Sequence, residues 1–375
     1  GVWMMRKFWV VFVVLIVGFG AVVYFGRDPF PVVPFPELGD GPVTLRVVRA
    51  INDRFNSLSE EEFESVLDQT ARSVRFHFGL EVRFERGDDY TIAELFQLIP
   101  EPAEELALSL SYTPPPSGVS PEELISSIAV QIENGRVSTA NILRFLEASI
   151  PGASRMRTKD LAESVASTWL DGLRAWQGLV AEDGDQVIDS SNYHQYAMWD
   201  FLGYGHLPFD IVVTNQLAAS AERYAFSPAS APSGGQMGGL TGYSRKGQYG
   251  TYTMLSTFTY TNDIGDLTKL SPGQFLDSAI TTRHAALMLT HEIGHLVLLL
   301  GHPWNNPNCI MSPSRPRLNG LSSGLDAAKC KIGSEPAMTP GAANIRYDRD
   351  LRGRLGPLGR FKSAVVAFMG GQADV

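Results

Sequence analysis

The stretch THEIGHLVLLLGH, residues 290–302, decides how the rest of the chain is interpreted. Ala, Leu and Met precede it and Leu and Val fill its second half, so the pattern predicts an apolar helix buried on every side. That helix carries His291, Glu292 and His295 within five positions. Burying three ionisable side chains is costly unless something pairs with them. His291 and His295 are four residues apart, and they therefore project from one face of the helix.

Two imidazoles on one helix face, with a glutamate beside the first, are typical of a catalytic zinc site. The alternative is a core helix whose histidines are satisfied by other partners. A catalytic zinc needs a third protein ligand, and His302 is the candidate. On an unbroken helix His302 would lie about 10 Å beyond His295. We therefore expect Gly301 to adopt a left-handed conformation that ends the helix and returns the chain. If His302 is not a ligand, Asp326 or Glu335 is the expected substitute.

Composition limits the classes of function. The 375 residues can bury a substantial core, and 44% hydrophobic and 19% charged residues are usual for a globular protein. The formal net charge is −9 and the chain lacks a cluster of Lys and Arg, which argues against a nucleic-acid partner.

The N-terminus has the pattern of a membrane anchor. Residues 8–26 carry no charge, follow Arg6 and Lys7, and approach the roughly 20 residues that a span requires. The sequence predicts a cytoplasmic tail at 1–7, a transmembrane helix at 8–26, and the remainder on the extracytoplasmic side. A cleaved signal peptide is the alternative. Residues 27–42 are rich in proline and predict a stiff stalk.

Both cysteines, Cys309 and Cys330, lie beyond the predicted anchor. Disulfides persist outside the cytoplasm, so pairing of the two is expected, with thiolate ligation of a metal as the alternative.

The remaining pattern predicts an α+β domain over residues 43–345, followed by a C-terminal segment at 346–375. Ser59 and Glu62 form a capping box that opens a helix ending at Gly79, between strands at 43–51 and 80–85. The triplet Arg86-Gly87-Asp88 is expected to be a turn. A mostly helical insertion occupies about 100–184. Further strands are expected at 210–214, 238–243 and 251–260, with 238–243 at the edge of the sheet.

These features together resemble the metzincin-type zinc peptidases, and most of all the archaemetzincins and matrixin-like members. The family motif is HExxHxxGxxH followed by a methionine-containing turn. His291, Glu292 and His295 match it, and the stretch CIMSP at 309–313 resembles the turn, with Met311 as its methionine. The spacing departs from the family, because His302 follows His295 by seven residues where the family has six. Leu298 stands at the usual glycine position.

The resemblance implies a twisted mixed sheet with an edge strand, an active-site helix, a Zn²⁺ cofactor and an endopeptidase. Glu292 would act as general base toward a zinc-activated water, and Met311 would form a packed floor beneath the ligands. From their position, Gly239, Leu240 and Thr241 would hold a peptide substrate in extended form at the edge strand. The alternatives are a zinc-containing binding module without catalysis, and a zinc peptidase of another clan.

Overall fold

The computed structural model describes 41–98, 120–133, 140–188, 199, 207–221, 227–242, 252–264, 267–270, 277–298, 300–304, 308–313 and 325. The predicted tail and anchor, most of the stalk, the C-terminal segment, Asp326, Cys330 and Glu335 lie outside these residues. Among the described helices, none combines the length and the apolar character that a membrane span requires.

The fold is α+β, and its centre is a mixed five-stranded sheet, as the sequence predicts. The strands are β1 (Val43–Ile51), β2 (Val82–Thr91), β3 (Ile211–Thr214), β4 (Gly239–Gly242) and β5 (Tyr252–Ser256). Their order across the sheet is β2-β1-β3-β5-β4. Strands β2, β1, β3 and β5 are parallel to one another. At the edge of the sheet, β4 pairs with β5 in the antiparallel direction.

Nine helices accompany the strands in the described part of the chain. They are α1 (Glu60–Phe78), α2 (Ile92–Gln97), α3 (Pro121–Glu133), α4 (Ala140–Leu146), α5 (Thr158–Gln177), α6 (Ser230–Ser233), α7 (Phe258–Thr261), α8 (Leu267–Leu270) and α9 (Ser278–Leu298).

Both faces of the sheet are covered. Successive residues of a strand point to opposite faces, so Val47 and Ile211 join the core formed with α1 and α9, whereas Val48 and Val212 join a second core on the other face. All residues of β3 and β5 are buried. Strands covered on both faces are mainly apolar, as Ile211 to Val213 are, although Thr253 and Ser256 of β5 are buried as well.

Helix α1 begins and ends as its sequence predicts. The Ser59 hydroxyl accepts from the Glu62 amide, the Glu62 carboxylate accepts from the Ser59 amide, and Gly79 closes the helix with φ 67°. Strand β2 differs from the prediction. It starts at Val82 and continues through Arg86-Gly87-Asp88 to Thr91, so the expected turn is not formed there.

Helix α9 is the buried helix predicted from the apolar stretch. Most of its side chains are inaccessible to solvent, including all from Met288 to Gly294. It packs against α1 and against β4 and β5. Its first residue, Ser278, donates to the Glu62 carboxylate across 2.5 Å and so joins the starts of the two helices.

The predicted insertion is helical in its described part. Helices α3, α4 and α5 pack around a third hydrophobic core, the core of the insertion, which also includes Phe55, Leu217 and Phe258 from outside the insertion. Gly172 of α5 lies so close to Gly234 that a Cβ at 172 would come within 2.5 Å of the Gly234 Cα. Beside this contact, the Trp176 indole N–H donates to the Ser233 carbonyl across 2.8 Å. The insertion is thus fastened to the segment that leads into β4.

Candidate metal centre

Three imidazoles converge at the C-terminal end of α9. The Nε2 atom of His295 lies 3.0 Å from those of His291 and His302, and these two are 3.2 Å apart. A tetrahedral zinc with nitrogen ligands at about 2.0–2.1 Å would space them by roughly 3.3–3.4 Å. The observed separations are slightly shorter than this spacing, so the three side chains could hold one metal ion after a small outward shift. His291 is buried, whereas His295 and His302 are half-buried.

Backbone carbonyls orient the two helical histidines. His291 Nδ1 is 2.8 Å from the Ile310 carbonyl oxygen, and His295 Nδ1 is 2.5 Å from that of Leu300. Because a carbonyl oxygen only accepts, each Nδ1 carries the proton and donates it. Each Nε2 is left with a lone pair directed into the triangle, which is the tautomer that a metal ligand needs.

The chain returns to His302 by a turn that the sequence did not predict. Helix α9 ends at Leu298, and the Leu300 amide donates to the Gly294 carbonyl across 3.1 Å. Gly301 is not among the described glycines with positive φ, so the expectation of a left-handed glycine there is wrong. The reversal is fixed one residue earlier by backbone and side-chain hydrogen bonds at Leu300. Its hydrogen bond spans six residues instead of the five of a Schellman cap, and this wider turn accommodates the additional residue before His302.

Burial keeps the three imidazoles neutral. Desolvation lowers the pKa of His291 to about 4, against the opposing effect of the Ile310 carbonyl. Burial and the neighbouring His291 lower the pKa of His295 to about 3. Burial and both neighbouring imidazoles hold the pKa of His302 well below its ordinary value. Neutral imidazole is the form that binds a metal ion, so no proton has to leave at neutral pH.

Glu292 lies against the edge strand β4. The Thr241 hydroxyl donates to Glu292 Oε2 across 2.6 Å and lies 2.8 Å from the Thr253 hydroxyl. A Cβ at position 239 would come within 2.3 Å of Glu292 Oε1, so only glycine permits this approach of the carboxylate to the strand. Burial raises the pKa of Glu292 to about 7, although the hydrogen bond from Thr241 acts in the opposite direction.

Two of the predicted edge-strand residues also approach Glu292, a contact that the sequence did not indicate. Gly239, Leu240 and Thr241 all lie in β4, at the edge of the sheet. Gly239 and Thr241 are two residues apart and approach the same carboxylate, as the alternation of a strand dictates. Thr241 and Glu292 are 51 residues apart in sequence, and no local pattern relates them.

Met311 lies in a tight turn beneath α9. Its side chain is fully buried, and a Cβ on Gly294 would come within 2.4 Å of the Met311 sulfur. The turn is closed by the Ser312 amide, which donates to the Cys309 carbonyl across 3.0 Å. The same turn presents the Ile310 carbonyl to His291, so packing of the turn and orientation of a ligand are coupled.

Cys309 is buried and disulfide-bonded. Its predicted partner, Cys330, lies outside the described residues, as do the alternative ligands Asp326 and Glu335.

No family model, curated protein or solved structure matches the chain.

Proposed function

We propose that the protein is a zinc-dependent endopeptidase of the metzincin type. The observation that carries the proposal is the convergence of three imidazole Nε2 atoms within 3.2 Å, next to a buried carboxylate on the same helix. Three nitrogen ligands with an open side are the usual donor set of catalytic zinc. Calcium and magnesium prefer oxygen ligands, whereas the three converging imidazoles offer nitrogen atoms. When bound, zinc supplies Lewis-acid polarisation of the scissile carbonyl and increases the acidity of water.

Glu292 is proposed as the general base that takes a proton from the attacking water and delivers it to the leaving amine. A carboxylate is an effective base when its pKa lies close to the working pH, and burial raises that of Glu292 to about 7. Thr241 holds one carboxylate oxygen in place. In the described sheet, β4 pairs with β5 on one side. The substrate is proposed to lie in extended form along the other side of β4 and to hydrogen-bond with the β4 backbone.

The proposed location is the extracytoplasmic side of a membrane, with residues 8–26 as a single-pass anchor. Two observations support it. The charge pattern around 8–26 fits an anchor with a cytoplasmic N-terminus, and Cys309 is disulfide-bonded, a state that persists in oxidising compartments.

Zinc content and peptide cleavage of matched variants test the proposal. Glu292→Gln is expected to retain zinc and to lose cleavage of casein by at least about 100-fold, the contribution of a general base. Glu61→Gln, which alters an exposed glutamate of α1, is the control and is expected to change neither property. Equal cleavage by wild type and Glu292→Gln would refute the assigned role.

Ligand variants test the metal site separately. His302→Ala is expected to weaken zinc binding strongly, whereas His284→Ala removes a buried histidine from the same helix, outside the triangle, and is expected to leave zinc affinity unchanged. Undiminished affinity in His302→Ala would favour a zinc peptidase of another clan, with Asp326 or Glu335 as the third ligand. Retained zinc without cleavage in the wild type would favour the second candidate, a zinc-containing binding module. The unusual spacing between His295 and His302 is the observation that supports this candidate.

A further inference from the structure

Trp304 lies between the helical insertion and the third histidine. Trp304 follows His302 by two positions and lies edge-to-face with it, with ring centroids 5.3 Å apart and an interplanar angle of 84°. On the other side Trp304 packs edge-to-face against Phe145 of α4, at 5.1 Å and 70°. Trp304 is only 8% exposed and belongs to the core of the insertion, whereas α9 belongs to the core of the sheet.

The ring of His302 is held differently from the rings of the other two histidines. His291 and His295 are carried by a 21-residue helix, and each donates from Nδ1 to a backbone carbonyl. His302 stands in an irregular segment beyond the helix, and within the described residues no hydrogen bond to its Nδ1 is seen. The described contacts of its ring are with other aromatic rings. The described aromatic neighbours of that ring are His291, His295 and Trp304.

We propose that the insertion formed by α3, α4 and α5 positions the third metal ligand, and that Trp304 is the positioning residue through which it acts. This inference rests on the proposed metal site. The edge of one aromatic ring against the face of another has a preferred geometry, so Trp304 restricts the rotation of the His302 ring. Phe145 in turn restricts Trp304. The helices that share a core with Trp304 thereby determine whether the triangle of imidazoles is complete before a metal ion arrives.

Zinc affinity of the full chain, measured by competition with a chromophoric chelator, tests the inference. Trp304→Leu keeps an apolar side chain in the core and removes the aromatic contact, and it is expected to weaken zinc binding by roughly 10-fold, as loss of a group that orients a ligating histidine does. Trp304→Phe retains an aromatic edge and is expected to recover most of the affinity. Trp176→Leu is the matched control, because it removes a buried tryptophan of the same core that hydrogen-bonds Ser233 instead. It is expected to lower the melting temperature while zinc affinity stays unchanged.

The His302→Ala background separates this inference from the proposed metal site. If Trp304 acts through His302, then Trp304→Leu is expected to cause no further loss of affinity once His302 is absent. The absorption bands of bound Co²⁺ are expected to change in Trp304→Leu and to be those of the wild type in Trp176→Leu. Wild-type affinity in Trp304→Leu together with weak binding in His302→Ala would overturn the positioning role alone. Equal losses in the two tryptophan variants would also overturn it, and wild-type affinity in His302→Ala would overturn both the site and the inference.

Discussion

The packing of Gly294 on Met311 leads to a prediction about stability. In Gly294→Ala the new Cβ would lie 2.4 Å from the Met311 sulfur and 2.9 Å from Phe78 Cζ. Carbon atoms in good contact are about 3.5–4.0 Å apart, so both neighbours would have to move by roughly 1 Å. Replacing glycine within a helix gains about 1 kcal/mol. Overpacking of a filled core costs about 1–3 kcal/mol, and with two contacts below 3 Å we expect the upper half of this range, hence a net loss of about 1–2 kcal/mol.

Urea unfolding followed by circular dichroism measures this loss, in the presence of a chelator so that metal binding does not contribute. Met311→Ala is the second arm of a double-mutant cycle, and alone it is expected to destabilise by about 2–5 kcal/mol through the cavity that it leaves. In that background the contact with Phe78 remains, but the gain of about 1 kcal/mol from replacing a helical glycine offsets it, so the net cost of Gly294→Ala should fall to near zero. Losses that add within about 0.5 kcal/mol in the double variant would refute the proposed contact between the turn and the helix.

Three further outcomes follow from contacts in the structure. Thr241→Val removes the hydroxyl that holds the Glu292 carboxylate and is expected to lower kcat for peptide cleavage by roughly 10-fold, with zinc content unchanged. Ser59→Ala removes the N-cap of α1 and is expected to lower the free energy of unfolding by about 1 kcal/mol. The hydrogen bond from Arg49 lowers the pKa of Asp89 below its ordinary value of 3.8. The ion pair therefore stabilises the fold above about pH 4, and this contribution is expected to disappear as the pH falls through the lowered pKa.

Each of these outcomes has a matched control. Thr241→Ser keeps the hydroxyl and should retain most of the activity, so an equally low kcat would argue against the hydrogen bond. Ser59→Asp supplies another good N-cap, and a loss as large as that of Ser59→Ala would show that capping is not the cause. Asp89→Asn cannot be ionised. Its free energy of unfolding should therefore decline less between pH 5 and pH 2 than that of the wild type, and identical declines would contradict the assignment.

Two helices could be predicted from local sequence patterns alone. The capping box at Ser59 and the glycine at 79 defined α1, and the apolar stretch around His291 defined α9. The convergence of His302 was predicted from the chemistry of a three-ligand site. The turn that brings His302 back to the helix was not predicted. It depends on a backbone hydrogen bond between Leu300 and Gly294, which no particular residue type indicates.

Pairing between strands overruled local composition at two places. Arg86-Gly87-Asp88 has the composition of a turn, yet β2 continues through it with a shift in register, since Arg86 pairs with Val47 and Asp89 with Arg49. Gly87 fits there because a Cβ would lie 2.8 Å from Val48 Cγ1 on the paired strand. Similarly, the sequence predicted the edge strand but not that Thr241 would reach Glu292, since their contact depends on how α9 packs on the sheet.

The burial of most of α9 has a consequence for biosynthesis. During translation α1 and all five strands would leave the ribosome before the helix at 278–298. The apolar surface that this helix covers would therefore remain exposed to solvent until it is synthesised. Nascent chains in this condition attract one another and are natural clients of chaperones. We expect that a stop codon introduced just before Ser278 would yield insoluble material, whatever the intrinsic stability of the earlier elements.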